Sequence, residues 1–149
     1  MTITVVEAHA KLTLSLRVTG VREDGYHLIN AEMVTLSLHD RLRIDSAGAG
    51  ISVTGPYADG VPADTTNLVH RALLLSGAEA GIHIEKNIPN GGGLGGGSAD
   101  AAAVLRWAGW SDVERAATIG ADVAFCLVGG RAQVTGFVEQ VEPLPFEER

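Results

Sequence analysis

A single cysteine, Cys126, stands among 149 residues. It leaves nothing to pair in a disulfide framework and no thiolate set for a metal cage, and it fits a reducing cytoplasm. Between Phe125 and Leu127 it reads as a small buried hydrophobe. Positive charge is also short, with 11 Lys and Arg against 18 Asp and Glu, a formal net charge of -7 and a pI of about 5.1. A protein that grips a nucleic-acid backbone needs the opposite balance, so no nucleic-acid partner is expected. No run of about 18 apolar residues occurs, so no membrane-spanning helix is expected. Residues 1–10, with Glu7 and His9, lack the basic and apolar regions of a targeting segment. The 5 histidines are dispersed, none in a His-x-x-x-His pair, so linear spacing supports no metal site. No internal repeat is found.

What is present suits one globular domain: 46% hydrophobic and 19% charged residues, in a chain long enough to bury roughly two-thirds of its unfolded surface. Glycine is in surplus. At ~7% average usage a chain of this length carries about ten, and this one has 19. Something here needs backbone freedom or close backbone approach.

Apolar spacing predicts an α/β chain with a strand-rich first half and a helix-rich second half, an α+β layering. Residues 2–6 are β-branched and short, a strand. Residues 11–19 alternate, with Leu12, Leu14, Leu16 and Val18 on one face and Lys11, Thr13, Ser15 and Arg17 on the other, which predicts a half-buried strand. Asp24-Gly25 marks a turn. Further strands are expected over 32–38 and 41–45 around His39-Asp40, and over 51–54, ended by Gly55-Pro56. Residues 67–78 have helical spacing, and 81–85 alternate as a short strand. Residues 99–108 are alanine-rich and helical, and 112–119 form a second short helix. Strands over 125–128 and 132–134 are expected about a Gly129-Gly130 turn. The proline-punctuated end, 143–149, reads as a tail or the start of a linker, which puts the domain at 1–142.

Much of the glycine surplus sits in one run: Gly91, Gly92, Gly93, Leu94, Gly95, Gly96, Gly97, closed by Ser98. Glycine runs are often only flexible linkers, but a strand and a helix bracket this one tightly. A glycine loop entering a helix N-terminus makes an anion site, because free N–H groups point outward, the dipole is positive there, and missing side chains let phosphate approach. Ser98 is a candidate N-cap. Gly91, Gly93 and Gly96 satisfy G-x-G-x-x-G, as any glycine run would, yet residues 86–90, with Pro89, intervene where a dinucleotide loop follows its strand directly. The Gly-Lys-Ser/Thr ending of a P-loop is absent, as are the Val-Ala-Ile-Lys strand and His-Arg-Asp loop of protein kinases.

Asn87-Ile88-Pro89 followed by Gly93-Leu94-Gly95-Gly96-Gly97-Ser98-Ala99-Asp100-Ala101-Ala102 resembles the phosphate loop of the GHMP small-molecule kinases, whose Pro-x-x-x-Gly-Leu-Gly-Ser/Gly-Ser segment wraps the ATP phosphates. Ala10-Lys11-Leu12-Thr13-Leu14, Arg22-Glu23-Asp24-Gly25-Tyr26-His27 and Gly120-Ala121-Asp122-Val123-Ala124-Phe125 resemble three further elements. In this order the four are similar to the branch that phosphorylates the 2-hydroxyl of 4-diphosphocytidyl-2-C-methyl-D-erythritol, in the non-mevalonate (MEP) route to isoprenoid precursors. The resemblance covers almost the whole chain. It implies the GHMP kinase N-terminal fold, α+β and like the second domain of ribosomal protein S5, a mixed sheet with helices packed on one face. It also implies ATP with Mg²⁺, a small cytidylyl substrate and a cytoplasmic setting.

By the same resemblance, Asp122 is the general base and Lys11 its partner, keeping it ionised. On the residues alone Asp122 is as readily a turn or helix cap, and Lys11 a solvent-facing lysine. Pro89, the residues Gly91 to Ser98 and Asn67 would hold ATP, with Asn67 equally an N-cap. Lys86 would reach nucleotide phosphate or simply sit in water. Tyr26 and His27 would read the cytidine, a ring face and a two-nitrogen edge suiting a pyrimidine. Asp100 suits the helix dipole but would repel ATP, so it is expected to face away from the phosphates. Thr13, a substrate-side position, stands where the family has Asn; Ala124 replaces Pro, and Phe137 replaces Arg in the family's Gly-Arg-Gly-Glu. Related kinases close their cleft with a second, ferredoxin-like domain. The alternatives are therefore a site completed by a companion domain or homodimer partner, or a reduced relative that binds nucleotide without efficient turnover.

Overall fold

The computed structural model describes residues 2–25, 27–136 and 139–145, with the backbone alone at His27. Tyr26, the His27 side chain, Phe137 and residues 146–149 lie outside the described residues. The elements run β1 (Ile3–Val21), β2 (His27–Asp45), β3 (Ile51–Thr54), α1 (Leu68–Ser76), β4 (Gly81–Glu85), α2 (Gly96–Trp107), α3 (Val113–Ala116), α4 (Val123–Val128), β5 (Arg131–Gly136) and β6 (Gln140–Leu144). The sheet has six strands, ordered β3-β4-β2-β5-β6 with β1 paired to β2. Only β3 and β4 are parallel, and α1 makes the crossover that a parallel pair requires. β1 follows the whole of one edge of β2, while β4 and β5 share its other edge. No helix among the described residues is long and apolar enough to cross a membrane.

The helices cover one face of the sheet. Ala8, Ala10, Ala31, Met33, Leu42, Ile44, Ile82, Ile84, Ala132 and Val134 supply the sheet side of the core. The α2 segment from Ala99 to Leu105 is buried on all sides, which makes it the central helix. Its alanines let the helix axis approach the sheet closely, and the tighter packing brings the glycine loop down onto β1.

Several elements differ from what spacing predicts. Residues 2–6 and 11–19 join in β1, and 32–38 and 41–45 join in β2. No turn forms at His39-Asp40, because the ladder pairs His9 with His39 and Ala8 with Asp40 straight across it. The alternation of 11–19 is broken by register shifts between His9 and Lys11 and between Thr13 and Ser15. The first allows the consecutive Ala10 and Lys11 both to be buried, which a regular strand forbids. The second sends Leu12 and Leu16 to opposite faces, since their partners Val34 and Ala31 are an odd number of residues apart. Leu12, Leu14, Leu16 and Val18 are all exposed: alternation records that side chains are apolar, not that anything covers them.

Residues 125–128, read as a strand, lie in α4. A short apolar run does not separate a buried strand from a buried helix, and here Val123, Ala124, Phe125 and Cys126 all pack inward. Gly129-Gly130 therefore links a helix to a strand. The C-terminal hairpin is β5–β6, with Val134 opposite Val141 and Ala132 opposite Pro143, so pairing runs past residue 142. Pro143 is tolerated because β6 is an edge strand. Truncating Phe125, 1% exposed, to Ala is expected to cost about 3–5 kcal/mol in denaturant-unfolding experiments.

Candidate active site

The site begins where β4 ends. Asp40, in the middle of β2, accepts from the N–H groups of Asn87 (2.6 Å) and Ile88 (2.9 Å) on Oδ1 and from Lys86 Nζ (2.6 Å) on Oδ2. Lys86 Nζ also donates to Asp100 Oδ2 on α2, at 2.9 Å. All three side chains are buried. This cluster pins the chain leaving β4, and through Asp100 it pins the first turns of α2, so both ends of the glycine loop are fixed from below. Burial works against the Lys86 ammonium, but Asp100 and Asp40 outweigh it and raise its pKa. Burial first, then the Asp40 carboxylate beside it, hold the Asp100 carboxyl well above the usual range, against the pull of Lys86. Asp100 Oδ1 has no hydrogen-bond partner among the described residues.

The loop settles on β1 through the Lys11 N–H, which donates to Leu94 O at 2.9 Å. Gly95 then turns left-handed, φ 66°, and caps α2. A Cβ there would stand 3.0 Å from Lys11 Cγ, so conformation and contact both demand glycine. At Gly96 a Cβ would lie 3.1 Å from Lys86 Nζ. The first intrahelical bond is Ala99 N–H to Gly95 O, 2.8 Å. The N–H groups of Gly96, Gly97 and Ser98 thus face out of the helix end, a donor cluster at the positive pole.

Beside this end stands a second pair. Asp122 occupies the N-cap position of α4, but its side chain makes no capping bond. Instead Oδ2 lies 3.3 Å from Lys11 Nζ, with the Asp122 side chain 25% exposed. Lys11 Nζ also donates to Thr13 Oγ1 at 3.0 Å. Lys11, Thr13, Asp122 and the loop residues Leu94 and Gly95 thereby meet at one spot, drawn from three separate stretches of sequence. A cavity of about 490 Å³ opens alongside, between residues 59–62 and the loop, with Asn67, Asn90 and Gly97 in its wall. A more apolar cavity of about 450 Å³ lies elsewhere, between residues 48–51 and α1. Its lining contains neither the glycine loop nor Lys11 or Asp122.

One expectation needs correction here, the N-cap at Ser98; at Lys11, Lys86 and Asn67 the sequence leaves two readings open. Lys11 is not solvent-facing: the β1 register shift turns it inward. Lys86 does not sit in water: it lies under the loop, engaged by two carboxylates, and still lines the cavity. Ser98 is not the N-cap, because α2 starts earlier, at the left-handed Gly95, and Ser98 falls inside its first turn. Asn67 caps α1, accepting from Val69 N–H at 3.1 Å while donating to Pro62 O at 2.9 Å, and still borders the cavity. Asp100 is buried and turned toward Lys86, away from the loop's outer surface, as the expected repulsion between its charge and phosphate requires. Asp40 escaped the sequence reading because His39-Asp40 fell between two expected strands; its signal was a lone acid amid strand-forming residues. Asn90, which donates to Tyr57 O at 3.0 Å, also went unread. Cys126, whose thiol burial pushes up to about 12, is unreactive.

Asp40→Ala leaves Lys86 with Asp100 as its one remaining carboxylate neighbour and strips two backbone N–H groups of their acceptor. A loss of about 3–5 kcal/mol is expected in denaturant melts. Asp100→Asn tests the raised carboxyl. The stability tied to a raised pKa is fully present below the unfolded value, 3.8, and is lost as pH rises through the folded value. Wild type should therefore lose stability relative to Asp100→Asn as pH rises above 3.8, by about 1.4 kcal/mol per pH unit until the native carboxyl ionises. A flat difference between pH 3.5 and 7.5 would contradict it.

A family model described as GHMP kinases N terminal domain matches residues 63–130. The 4-diphosphocytidyl-2-C-methyl-D-erythritol kinase of Paracoccus denitrificans is 48% identical over 138 residues, 93% of this chain and 50% of that protein. The enzyme of the same name from Clostridium tetani is 39% identical over 163 residues, 96% of this chain and 56% of its own length. A crystal structure of 4-(cytidine 5'-diphospho)-2C-methyl-D-erythritol kinase superposes with a TM-score of 0.73 at 39% identity, over 95% of this chain and 55% of that one. Methanococcus jannaschii mevalonate kinase, 14% identical, shares the fold with a TM-score of 0.59 over 95% of this chain and 56% of that one. The chain spans about half the length of the curated relatives it matches.

Proposed function

Because the chain carries the N-terminal domain of the GHMP kinases, we propose that it is the ATP-binding and catalytic half of a kinase acting on the 2-hydroxyl of 4-diphosphocytidyl-2-C-methyl-D-erythritol. The observation that carries this reading is the Asp122 carboxylate 3.3 Å from the buried Lys11 ammonium, at the mouth of the glycine loop.

Phosphoryl transfer is mainly a matter of positioning and charge. The N–H groups at the start of α2 would hold the β- and γ-phosphates, and the Ser98 hydroxyl would face phosphate or Mg²⁺. Bound Mg²⁺ would offset phosphate charge. The loop suits a phosphate chain, since the outer sides of Gly91 and Gly93 have nothing within 4 Å where a Cβ would stand. Asp122 takes the proton from the substrate hydroxyl as its oxygen bonds to the γ-phosphorus; the bond from that phosphorus to the bridging oxygen breaks, and ADP leaves. Lys11, 3.3 Å from the carboxylate, holds it in place and steadies the attacking oxygen. Thr13, which anchors Lys11, borders the substrate. Adenosine fits the cavity beside Asn67 and Asn90. Tyr26 and His27 are assigned to the cytidine, and a companion domain, in keeping with relatives about twice as long, would exclude water from the cleft.

Asp122→Asn should abolish ATP consumption with the cytidylyl substrate while leaving the nucleotide-induced rise in Tm intact. Equal loss of turnover and nucleotide binding would make Asp122 structural. No turnover by wild type, with nucleotide still raising Tm, would favour the second reading, a domain that binds nucleotide and needs its other half to transfer phosphate.

A further inference from the structure

The open face of the sheet carries a cluster that phosphoryl transfer does not use. Glu7 and His9 are two apart on β1 and share a face. The register sets His9 directly opposite His39 on β2, with ring centroids 5.0 Å apart and planes tilted by 47°. Each ring is anchored by the same atom: His9 Nδ1 lies 2.9 Å from Leu36 O, and His39 Nδ1 lies 2.9 Å from Ser37 O. A carbonyl oxygen can only accept, so in both rings Nδ1 carries the hydrogen, which leaves Nε2 as the ring atom available to coordinate. Both Nε2 atoms turn toward one carboxylate, His9 Nε2 at 3.0 Å from Glu7 Oε2 and His39 Nε2 at 3.9 Å from Glu7 Oε1. One ligand atom from each residue lies within 4.8 Å of the other two. Two imidazole nitrogens and a carboxylate converge, a donor set that a metal cation between them would satisfy.

We propose that Glu7, His9 and His39 form a binding site for a divalent first-row transition ion, with Zn²⁺ the best match to two imidazoles and one carboxylate. Metal-bound histidines ordinarily donate their second ring N–H to a carbonyl or carboxylate, and both anchors are already in place. Three N or O ligands at about 2.0–2.2 Å from a tetrahedral ion stand about 3.4 Å from one another, so closing the set needs side-chain movements of about 1 Å. Mg²⁺ is disfavoured because it prefers oxygen ligands. The side chains are part-exposed, His9 at 35% and Glu7 at 58%, which leaves a fourth position open to water. Arg41, paired with Glu7 in the ladder, brings opposing charge and moderates the affinity. The ion would clip β1 to β2 beside the register shift that turns Lys11 inward, stiffening that hairpin. Linear spacing is blind to this site because its ligands meet only through cross-strand pairing.

Calorimetric titration of the chain with Zn²⁺ tests it. One equivalent should bind at micromolar concentration, Zn²⁺ should raise Tm, and His39→Ala should weaken binding at least 10-fold and abolish the Tm rise. Co²⁺ should give visible d–d absorption in wild type alone. If His39→Ala folds poorly, Glu7→Gln on the exposed carboxylate supplies the same readouts. Absence of micromolar binding, or an affinity unchanged in either variant, would mean that the groups share only protons and would overturn the proposal.

Discussion

The Lys86 ammonium, buried between Asp40 and Asp100, is the point on which the rest of the structure hangs. A charge removed from water is tolerated only with close partners, and its partners come from the middle strand and the central helix. Asp40 gives its other oxygen to the backbone at residues 87 and 88. One cluster therefore ties β2, the end of β4 and the start of α2. A glycine-rich segment has little shape of its own. Here its shape is imposed by fixed ends and by the Leu94 carbonyl resting on the Lys11 N–H.

The β1 register shift makes a second, independent constraint. It puts Ala10 and Lys11 on the inner side together, so a lysine flanked by strand-forming residues reaches Asp122 across the loop. α4 contributes by leaving the carboxylate at its N-cap position uncommitted to capping. An anion-binding helix end and an uncommitted carboxylate stabilised by a cation are what transfer of a phosphoryl group to an alcohol requires. The apolar side chains of Leu14, Leu16 and Val18 remain exposed, and the curated relatives are about twice as long.

The sequence made legible what depends on local pattern. The Ile82 and Ile84 alternation, the alanine helix and the Asn67 start of α1 appear in the fold as spacing predicts. The glycine loop, Lys11 and Asp122 were legible through motif resemblance, and the structure brings them into one site. What was not legible depends on pairing at long range. A ladder decides whether His39-Asp40 turns or continues; a bulge decides which of Lys11 and Leu12 is inside. The partners of Lys86 lie 46 and 14 residues away, and no local rule joins them. The strand expected over 125–128 failed for a different reason: four apolar residues fit either a buried strand or a buried helix.

The central claim is that the start of α2, Lys11 and Asp122 form one phosphate-handling site. Amide NMR of the chain titrated with ATP and Mg²⁺ tests it most directly. The account predicts the largest shifts at residues 93–99, with smaller ones at Lys11 and Asp122 and none at residues 48–51. Shifts gathered around 48–51 and α1, with the glycine loop unmoved, would contradict it.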